Sequence, residues 1–354
     1  MNYLTKTQLA VIVFFIPLVF KMANLPGLLY AECGADGYVA LGLVTAVEFL
    51  QLFLVLFVVK MGGLGAIFER YGRVAYLLLS LPLYFVMGTK SVVFFSEVYF
   101  YVCDYLFYNV PALPIVTVSL LVVFYLATKG VKAVGRVFEL SVWLLPLIVL
   151  FGLLFGKVNL SWQYLTPVLE DGGLRALAGV DKYLLYAFDF SPLLFFKIEE
   201  KKNVRVVLSA ILCVGAVMFC YVLLVASYGR ATFLISDAFA HLASFNVVIS
   251  EIGSLDWPSA LLWITTAVGN VSLKFSAMGE GFRYMKIRRE VGLLLLTVLI
   301  GVLVLFVFSG YREILALVLS PVRYVVVGIE IVVPVVLLAL LGNKNKQKKV
   351  VYAT

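Results

Sequence analysis

The sequence predicts an all-α polytopic membrane protein with ten transmembrane helices in two halves of five, and three observations carry that prediction. The first is composition: 63% of the 354 residues are apolar and only 14% are charged, with a mean hydropathy of +1.07, whereas a soluble domain is about half apolar and about a quarter charged. So little charge cannot cover a water-facing surface, which excludes a soluble enzyme, a disordered protein and a nucleic-acid binder. The second is a series of long apolar runs, each near the roughly 20 residues a spanning helix needs and without the alternation of a barrel strand. The third is the placement of Lys and Arg along those runs.

In chain order the runs cover about residues 8–30, 38–60, 74–102, 112–129, 137–156, 178–198, 204–228, 257–279, 291–310 and 314–341. With the N-terminus inside, 20 of the 28 Lys and Arg fall on inner segments and four, Lys157, Arg175, Arg230 and Arg312, on outer loops. That is the positive-inside asymmetry. The remaining four, Lys21, Lys90, Lys182 and Arg323, lie within or at the ends of spans. Two termini inside require an even number of spans, in agreement with ten. The net charge of +8 is therefore read as topology. The whole chain, 1–354, is one transmembrane domain with a basic tail at 342–354 that orients the protein or touches anionic lipid. The long outer loops, 157–177 and 229–256, are expected to carry short surface helices or lids.

The first span reads FKMANLPGLLY, with Lys21 and Asn24 ahead of Pro26 and Gly27, and the sixth reads YAFDFSPLLFF, with Asp189, Ser191 and Pro192 near its centre. Proline removes a backbone donor and clashes with the preceding turn, and freed carbonyls in lipid must find another partner. Breaks in the first and sixth of ten spans suggest two repeats of opposite topology, about 8–156 and about 178–341, with a ligand where the breaks meet. Simple kinks are the bland alternative.

Ionisable groups at membrane depth are costly and face a partner or a cavity. The candidates are Lys21, Glu48, Lys90, Glu97, Glu139, Asp181, Asp189, Lys274 and Glu330. Lys21 and Asp189 stand on the two broken spans, placed to pair with each other or to hold the two ends of a zwitterion; a structural ion pair is the alternative. On the third span Lys90, Glu97 and Asp104 are spaced by seven and share one face, with Phe94 and Tyr101 on the same stripe and Ser91 beside it. That face suits the wall of a water-lined path, or the aromatics are core packing. Lys274 suits an ion-coupling position, as do Lys21 and Glu97, although a lysine there also snorkels readily. Glu139 sits three residues after Arg136, the spacing of a local salt bridge.

No catalytic motif is present: there is no phosphate-binding loop, HExxH, CxxC or GxSxG. We therefore expect no enzyme activity and no cofactor. The single histidine, His241, argues against a metal cluster. Four cysteines make no disulfide framework; Cys33 and Cys103 both fall near the outer side, which leaves a bridge between them open. GGLGAIFERYG is read as a hinge or tight turn.

Several segments, in order, resemble the spore germination permease family, the B subunits of germinant receptors, within the amino acid–polyamine–organocation transporter superfamily. They are the start Thr5-Lys6-Thr7-Gln8, LPGLLYAECGADGYVAL, NVPALP from Asn109 to Pro114, KGVKAVGRVFEL with Gly130, Arg136 and Glu139, LTPVLEDGG from Leu165 to Gly173, and SLDWPSALLW with Asp256 seven residues before Trp263. The chain departs from the family's pattern at Ser254, where many members carry Arg, and at Lys21, where a small residue is common. The resemblance implies the leucine-transporter fold, a 5+5 inverted repeat with broken first and sixth helices. It also implies a ligand site among the first, third, sixth and eighth helices, and partners in the form of an A subunit and a C-subunit lipoprotein at the inner spore membrane, with the bacterial cell membrane as the alternative location.

The expected function is therefore that of a nutrient-sensing, permease-like subunit whose ligand is a small molecule such as an amino acid. Lys21, Asn24, Pro26, Gly27, Ser91, Phe94, Glu97, Tyr101, Asp189, Ser191 and Pro192 are the expected ligand-binding residues. A proton-coupled amino acid symporter and a structural subunit with a vestigial site are the alternatives.

Overall fold

The computed structural model describes residues 3–22, 24–103, 111–155, 160–166, 173–198, 204–235, 248–249, 253–254 and 257–351. These are almost entirely helical. The first helix, α1 (Lys6–Lys21), begins with a capping box: the Thr5 hydroxyl accepts from the Gln8 N–H while the Gln8 side chain accepts from the Thr5 N–H, satisfying two donors that the first turn leaves open. It stops at Lys21, and the chain restarts as α2 (Leu25–Cys33), with Pro26 in the first turn, where its missing N–H costs nothing. The first apolar run is thus broken just ahead of Pro26.

After a 3₁₀ turn at Gly34–Asp36 come α3 (Gly37–Lys60) and α4 (Gly63–Tyr101). Gly62 and Gly63 at φ 104° and 58° make the tight turn, and Gly72 at φ 78° kinks α4; of the hinge or tight turn expected, the glycine-rich segment makes the turn. Next follow α5 (Ala112–Lys129), α6 (Val131–Phe155) and the short α7 (Leu174–Lys182). The sixth apolar run is not a continuous helix. It passes from α7 through a 3₁₀ turn at Leu184–Tyr186 and an irregular stretch to a second 3₁₀ turn at Ser191–Phe195. Phe188 in that stretch has φ 68°, a conformation most side chains avoid.

The rest is α8 (Val204–Tyr228), α9 (Trp257–Tyr284), α10 (Arg289–Val302) continuing as a π-turn to Val307, α11 (Tyr311–Leu319) and α12 (Val322–Val351). The expected run 314–341 is therefore two helices. Ser320 is extended, at ψ 162°, because the ring of Pro321 disfavours helical backbone in the residue before it. The outer loops contain 3₁₀ turns at Trp162–Leu165 and Gly229–Leu234 and a small antiparallel pair, β3 (Val248–Ile249) with β4 (Gly253–Ser254). Residues 236–247, with His241, lie outside the described residues.

Among the described residues six segments are long and apolar enough to cross a membrane: Leu25–Lys60, Gly63–Phe100, Ala112–Lys129, Val204–Leu234, Arg289–Val307 and Val322–Gly342. They contain or overlap seven of the ten runs expected from sequence, the first of these only at residues 25–30. The first and sixth runs are interrupted, and α9 carries Asn270, Lys274 and several hydroxyls. Leu50, Val74, Leu78, Leu295 and Phe306 point outward and are more than half exposed. A water-soluble surface seldom shows so broad an apolar belt; a bilayer demands it.

The segments that the Lys and Arg count assigns to one side meet at one end of the bundle. There β1 (Tyr3–Leu4) pairs in parallel with β2 (Lys197–Ile198), Thr7 accepts from Arg205 at 3.4 Å, Arg73 donates to the Met285 carbonyl at 2.6 Å, and Arg70 donates to the Leu341 carbonyl at 3.4 Å. At the opposite end Tyr221 donates to the Gly34 carbonyl at 2.8 Å and the Cys33 thiol to that of Arg175 at 3.2 Å. Cys33, Cys103, Cys213 and Cys220 form no disulfide, so Cys33 and Cys103 are not bridged.

Candidate functional site

The two breaks meet in a buried network of charge. Lys21, the last residue of α1, is fully buried and ion-paired with Glu48 of α3. The other oxygen of Glu48 accepts the N–H of Asp189 at 3.0 Å, so one carboxylate holds both broken spans. Lys90 of α4 donates to the carbonyls of Ala187 and Phe188, the latter at 2.8 Å, and lies 3.5 Å from Asp189 Oδ1. Lys274 of α9 lies 3.3 Å from the same oxygen and donates to Asn270 at 2.6 Å. On the far side of the break, Ser191 donates to Glu330 Oε1 at 3.0 Å and Gln51 donates to Glu330 Oε2 at 2.6 Å. Three ammoniums, Lys21, Lys90 and Lys274, thus stand among three carboxylates, Glu48, Asp189 and Glu330, each of them no more than 1% exposed. Burial at this depth is tolerable only with such mutual pairing.

Local backbone explains why these groups converge. The irregular stretch at 187–190 frees carbonyls that no helix satisfies, and the Lys90 ammonium supplies the donors. The aromatic wall is built by Phe20, Phe94 and Tyr186. Phe20 meets Phe94 edge-on at 5.0 Å and Tyr186 at 5.1 Å, and the Lys274 ammonium lies 5.5 Å and 5.9 Å from the Phe20 and Phe94 ring centres, within cation–π range. Tyr186 donates to Glu97 at 2.5 Å, which places Glu97 on the same wall. Asp189 Oδ2, Asn270 Nδ2, Ser272 Oγ and Ser276 Oγ are buried without a hydrogen-bond partner, so the site holds more polar capacity than its own side chains use.

The residues expected from sequence divide as follows. Lys21, Glu97, Asp189, Ser191 and Lys274 are in or against the network. Phe94 packs on its wall. Asn24 is buried at the start of α2, and Gly27 packs against the backbone of Thr232 and Ile235. Pro26 and Pro192 open the segments that follow the breaks. Ser91 bonds the Met87 carbonyl of its own helix at 2.7 Å. The Tyr101 side chain and Asp104 lie outside the described residues.

Three pairings differ from expectation. Lys21 takes Glu48 in place of Asp189, because Asp189 already faces Lys90 and Lys274. Lys274 does not snorkel: it is 1% exposed and points inward to Asp189. Glu139 accepts from Gln8 at 3.5 Å where a local pair with Arg136 was expected. Sequence reasoning passed over Gln51, Asn270, Tyr186 and Phe20. Gln51 and Asn270 carried a usable signal, each a polar residue in an apolar helix one turn from a charge, at i+3 from Glu48 and i−4 from Lys274.

A sequence profile of the spore germination protein family, the spore permeases, matches residues 3–314. The chain belongs to that family. The match covers every element of the buried network except Glu330, which lies beyond it on α12. A search of curated proteins returns no match to this spore germination family member. Among the described residues no three His, Cys, Asp or Glu side chains converge as a metal site.

Proposed function

We propose that this protein is a nutrient-sensing, permease-like subunit of a germinant receptor. Its ten spans form two inverted repeats of the leucine-transporter type, with both termini on the cytoplasmic side of the inner spore membrane. Its ligand is a small nutrient of the amino acid class, and its role is sensing, with no catalysed reaction. The A and C subunits of the receptor are its partners.

The observation that carries this reading is the convergence of both broken spans on Glu48, which takes the Lys21 ammonium from one and the Asp189 N–H from the other. An ammonium and a carboxylate brought by a ligand compete for those same partners. A ligand shifts a two-state protein only by its differential affinity for the states, and exchange of internal for ligand ion pairs supplies one. Deletion of the gene in its spore-forming host, followed by nutrient-triggered germination, tests the reading. The deletion is expected to abolish the response to at least one amino acid and to leave germination by non-nutrient triggers intact. An unchanged response to every nutrient would refute it.

A proton-coupled symporter is the second reading, favoured by the three buried carboxylates Glu48, Asp189 and Glu330 about the breaks. Amino acid uptake into proteoliposomes that collapses with a protonophore would select it over sensing.

A further inference from the structure

At the basic end of the bundle α9 gives way to α10 across the turn Met285-Lys286-Ile287-Arg288. Two bonds close α9 there, from the Lys286 N–H to the Arg283 carbonyl at 3.1 Å and from the Ile287 N–H to the Phe282 carbonyl at 3.0 Å. That pair is a Schellman cap, in which the residue with left-handed backbone is usually glycine. Here it is Lys286, at φ 62°. Arg73 donates to the Met285 carbonyl at 2.6 Å and fixes the turn on the bundle. A lysine at this position strains the backbone, and the cap itself needs no side chain. Strain held in a fixed turn points to a use for the side chain that causes it.

The protein's own carboxylates do not supply that use. Four cations and two carboxylates lie between residues 280 and 290. Glu280 is ion-paired with both Arg283 and Arg289, Glu290 bears on Arg289 as well, and Arg289 is buried, donating to the Ala127 carbonyl at 2.7 Å. Lys286 and Arg288 are exposed, and among the described residues neither side chain makes a hydrogen bond or an ion pair.

The surroundings of these two cations say what covers them. Arg288 leads into α10, and Val291 and Leu295 follow it at i+3 and i+7, on the same helix face. Val291 is 47% and Leu295 65% exposed, part of the outward apolar belt that a bilayer covers. Ile287, 42% exposed, stands between the two cations. An apolar side chain flanked by Lys and Arg at the rim of such a belt lies at headgroup depth. There the stems of Lys and Arg lie along the acyl boundary while their charges attract anionic lipid.

We propose that the turn between α9 and α10 is a binding site for the headgroup of an anionic phospholipid, with Lys286 and Arg288 on its phosphate and Ile287 in the acyl layer beneath. The site lies on the outside of the bundle, apart from the Glu48 network, and its occupancy does not depend on the protein acting in germination.

The test is thermal unfolding of the full chain in nanodiscs of phosphatidylcholine alone and of an equimolar mixture with phosphatidylglycerol, followed by tryptophan fluorescence. A ligand of the native form raises Tm, so the wild type is expected to unfold at a higher temperature in the mixture. Lys286→Gly and Arg288→Gln are each expected to lose about half or more of that rise, since each removes one of two comparable charges. Lys286→Gly keeps the turn, because glycine adopts left-handed backbone freely, and effects on the cap act alike in both discs and drop out of the difference. Lys60→Gln, which removes an exposed cation at the end of α3, is expected to keep the full rise. No rise in the wild type, or a full rise in either turn variant, overturns the proposal. So does an equal loss in Lys60→Gln, which would assign the effect to the surface potential as a whole. So does inorganic phosphate raising Tm in phosphatidylcholine as much as the anionic lipid does, which would make the turn a site for soluble anions. None of these outcomes bears on the deletion experiment, so the lipid site and the germination role fail separately.

Discussion

The Lys90 ammonium on α4 donates to the backbone carbonyl of Phe188 at 2.8 Å. A side chain from a regular helix thereby caps the one place in the sixth span where the chain takes a left-handed step, with Phe188 at φ 68°. Backbone of that kind persists only where its surroundings over-determine it. Here Lys90 does so on one side and Glu48, through the Asp189 N–H, on the other.

Replacing Lys90 tests that statement. Lys90→Met keeps the length of the side chain and removes the donor. It strands the Ala187 and Phe188 carbonyls and leaves Asp189 with Lys274 as its ion partner. Removal of one partner from a buried ion pair costs about 3–5 kcal/mol. Thermal unfolding in detergent is expected to show a large loss in Tm for Lys90→Met and a smaller one for Lys90→Arg. Equal Tm for wild type and Lys90→Met would mean that the break stands without its cap.

Lys21 and Glu48 are expected to behave as a unit. Lys21→Met strands a buried carboxylate and Glu48→Gln strands a buried ammonium, each at a cost of about 3–5 kcal/mol, whereas replacing both removes the mismatch. Gln at position 48 keeps a carbonyl oxygen for the Asp189 N–H, so the backbone contact at 3.0 Å survives in the double variant. A double-mutant cycle on unfolding free energy should show strong coupling. Simple additivity of the two single losses would contradict the ion pair.

Much of this arrangement was legible in the sequence, and the reason is the bilayer. Charge at membrane depth is so unfavourable that Lys21, Glu48, Lys90, Asp189, Lys274 and Glu330 stand out against their apolar runs, and Pro26 and Pro192 mark where the backbone cannot continue. Pairing was not legible. Lys21 and Asp189 carry the right charges on the right spans, but which carboxylate a buried lysine takes depends on the packing of α3, α4 and α9 about the break, and no local spacing encodes that. The division of the last run at Ser320 was signalled by Pro321 and overridden in the expectation by the surrounding hydrophobicity.

Gly27 is expected to be intolerant for a steric reason. A Cβ there would meet the Thr232 carbonyl oxygen at 3.3 Å and the Ile235 carbonyl carbon at 3.2 Å, and these are backbone atoms that cannot rotate away. Overpacking of this kind costs about 1–3 kcal/mol. Gly27→Ala should therefore lower Tm, and Gly27→Val more so. Gly328→Ala, on a helix with nothing within 4 Å of the added carbon, should be neutral or stabilising, since Ala is the better helix former by about 1 kcal/mol. Matching effects at the two positions would show that α2 does not approach the 229–235 turn as closely as described.

Glu330 gives the most discriminating substitution, because its two neighbours differ in what they can adapt. Ser191 donates to one carboxylate oxygen at 3.0 Å and the Gln51 amide to the other at 2.6 Å, while Gln51 Oε1 is buried without a partner. Glu330→Gln turns one acceptor into a donor. Gln51 can answer by rotating its amide, which presents the idle oxygen to the new NH₂ group at the loss of its 3.3 Å bond to the Glu330 carbonyl, and Ser191 keeps an acceptor. The variant should lose no more than about 1 kcal/mol, the worth of one ordinary hydrogen bond. Glu330→Ala leaves Ser191 buried without its acceptor and Gln51 with only its 3.3 Å bond to the carbonyl of residue 330, at about 1–3 kcal/mol for a stranded group, and Ser191→Ala should fall between Glu330→Gln and Glu330→Ala. If Glu330→Gln is as damaging as Glu330→Ala in thermal unfolding, the charge itself is what α12 contributes to the break, and Glu330 belongs with Glu48 and Asp189 as an obligatory anion opposite the three lysines.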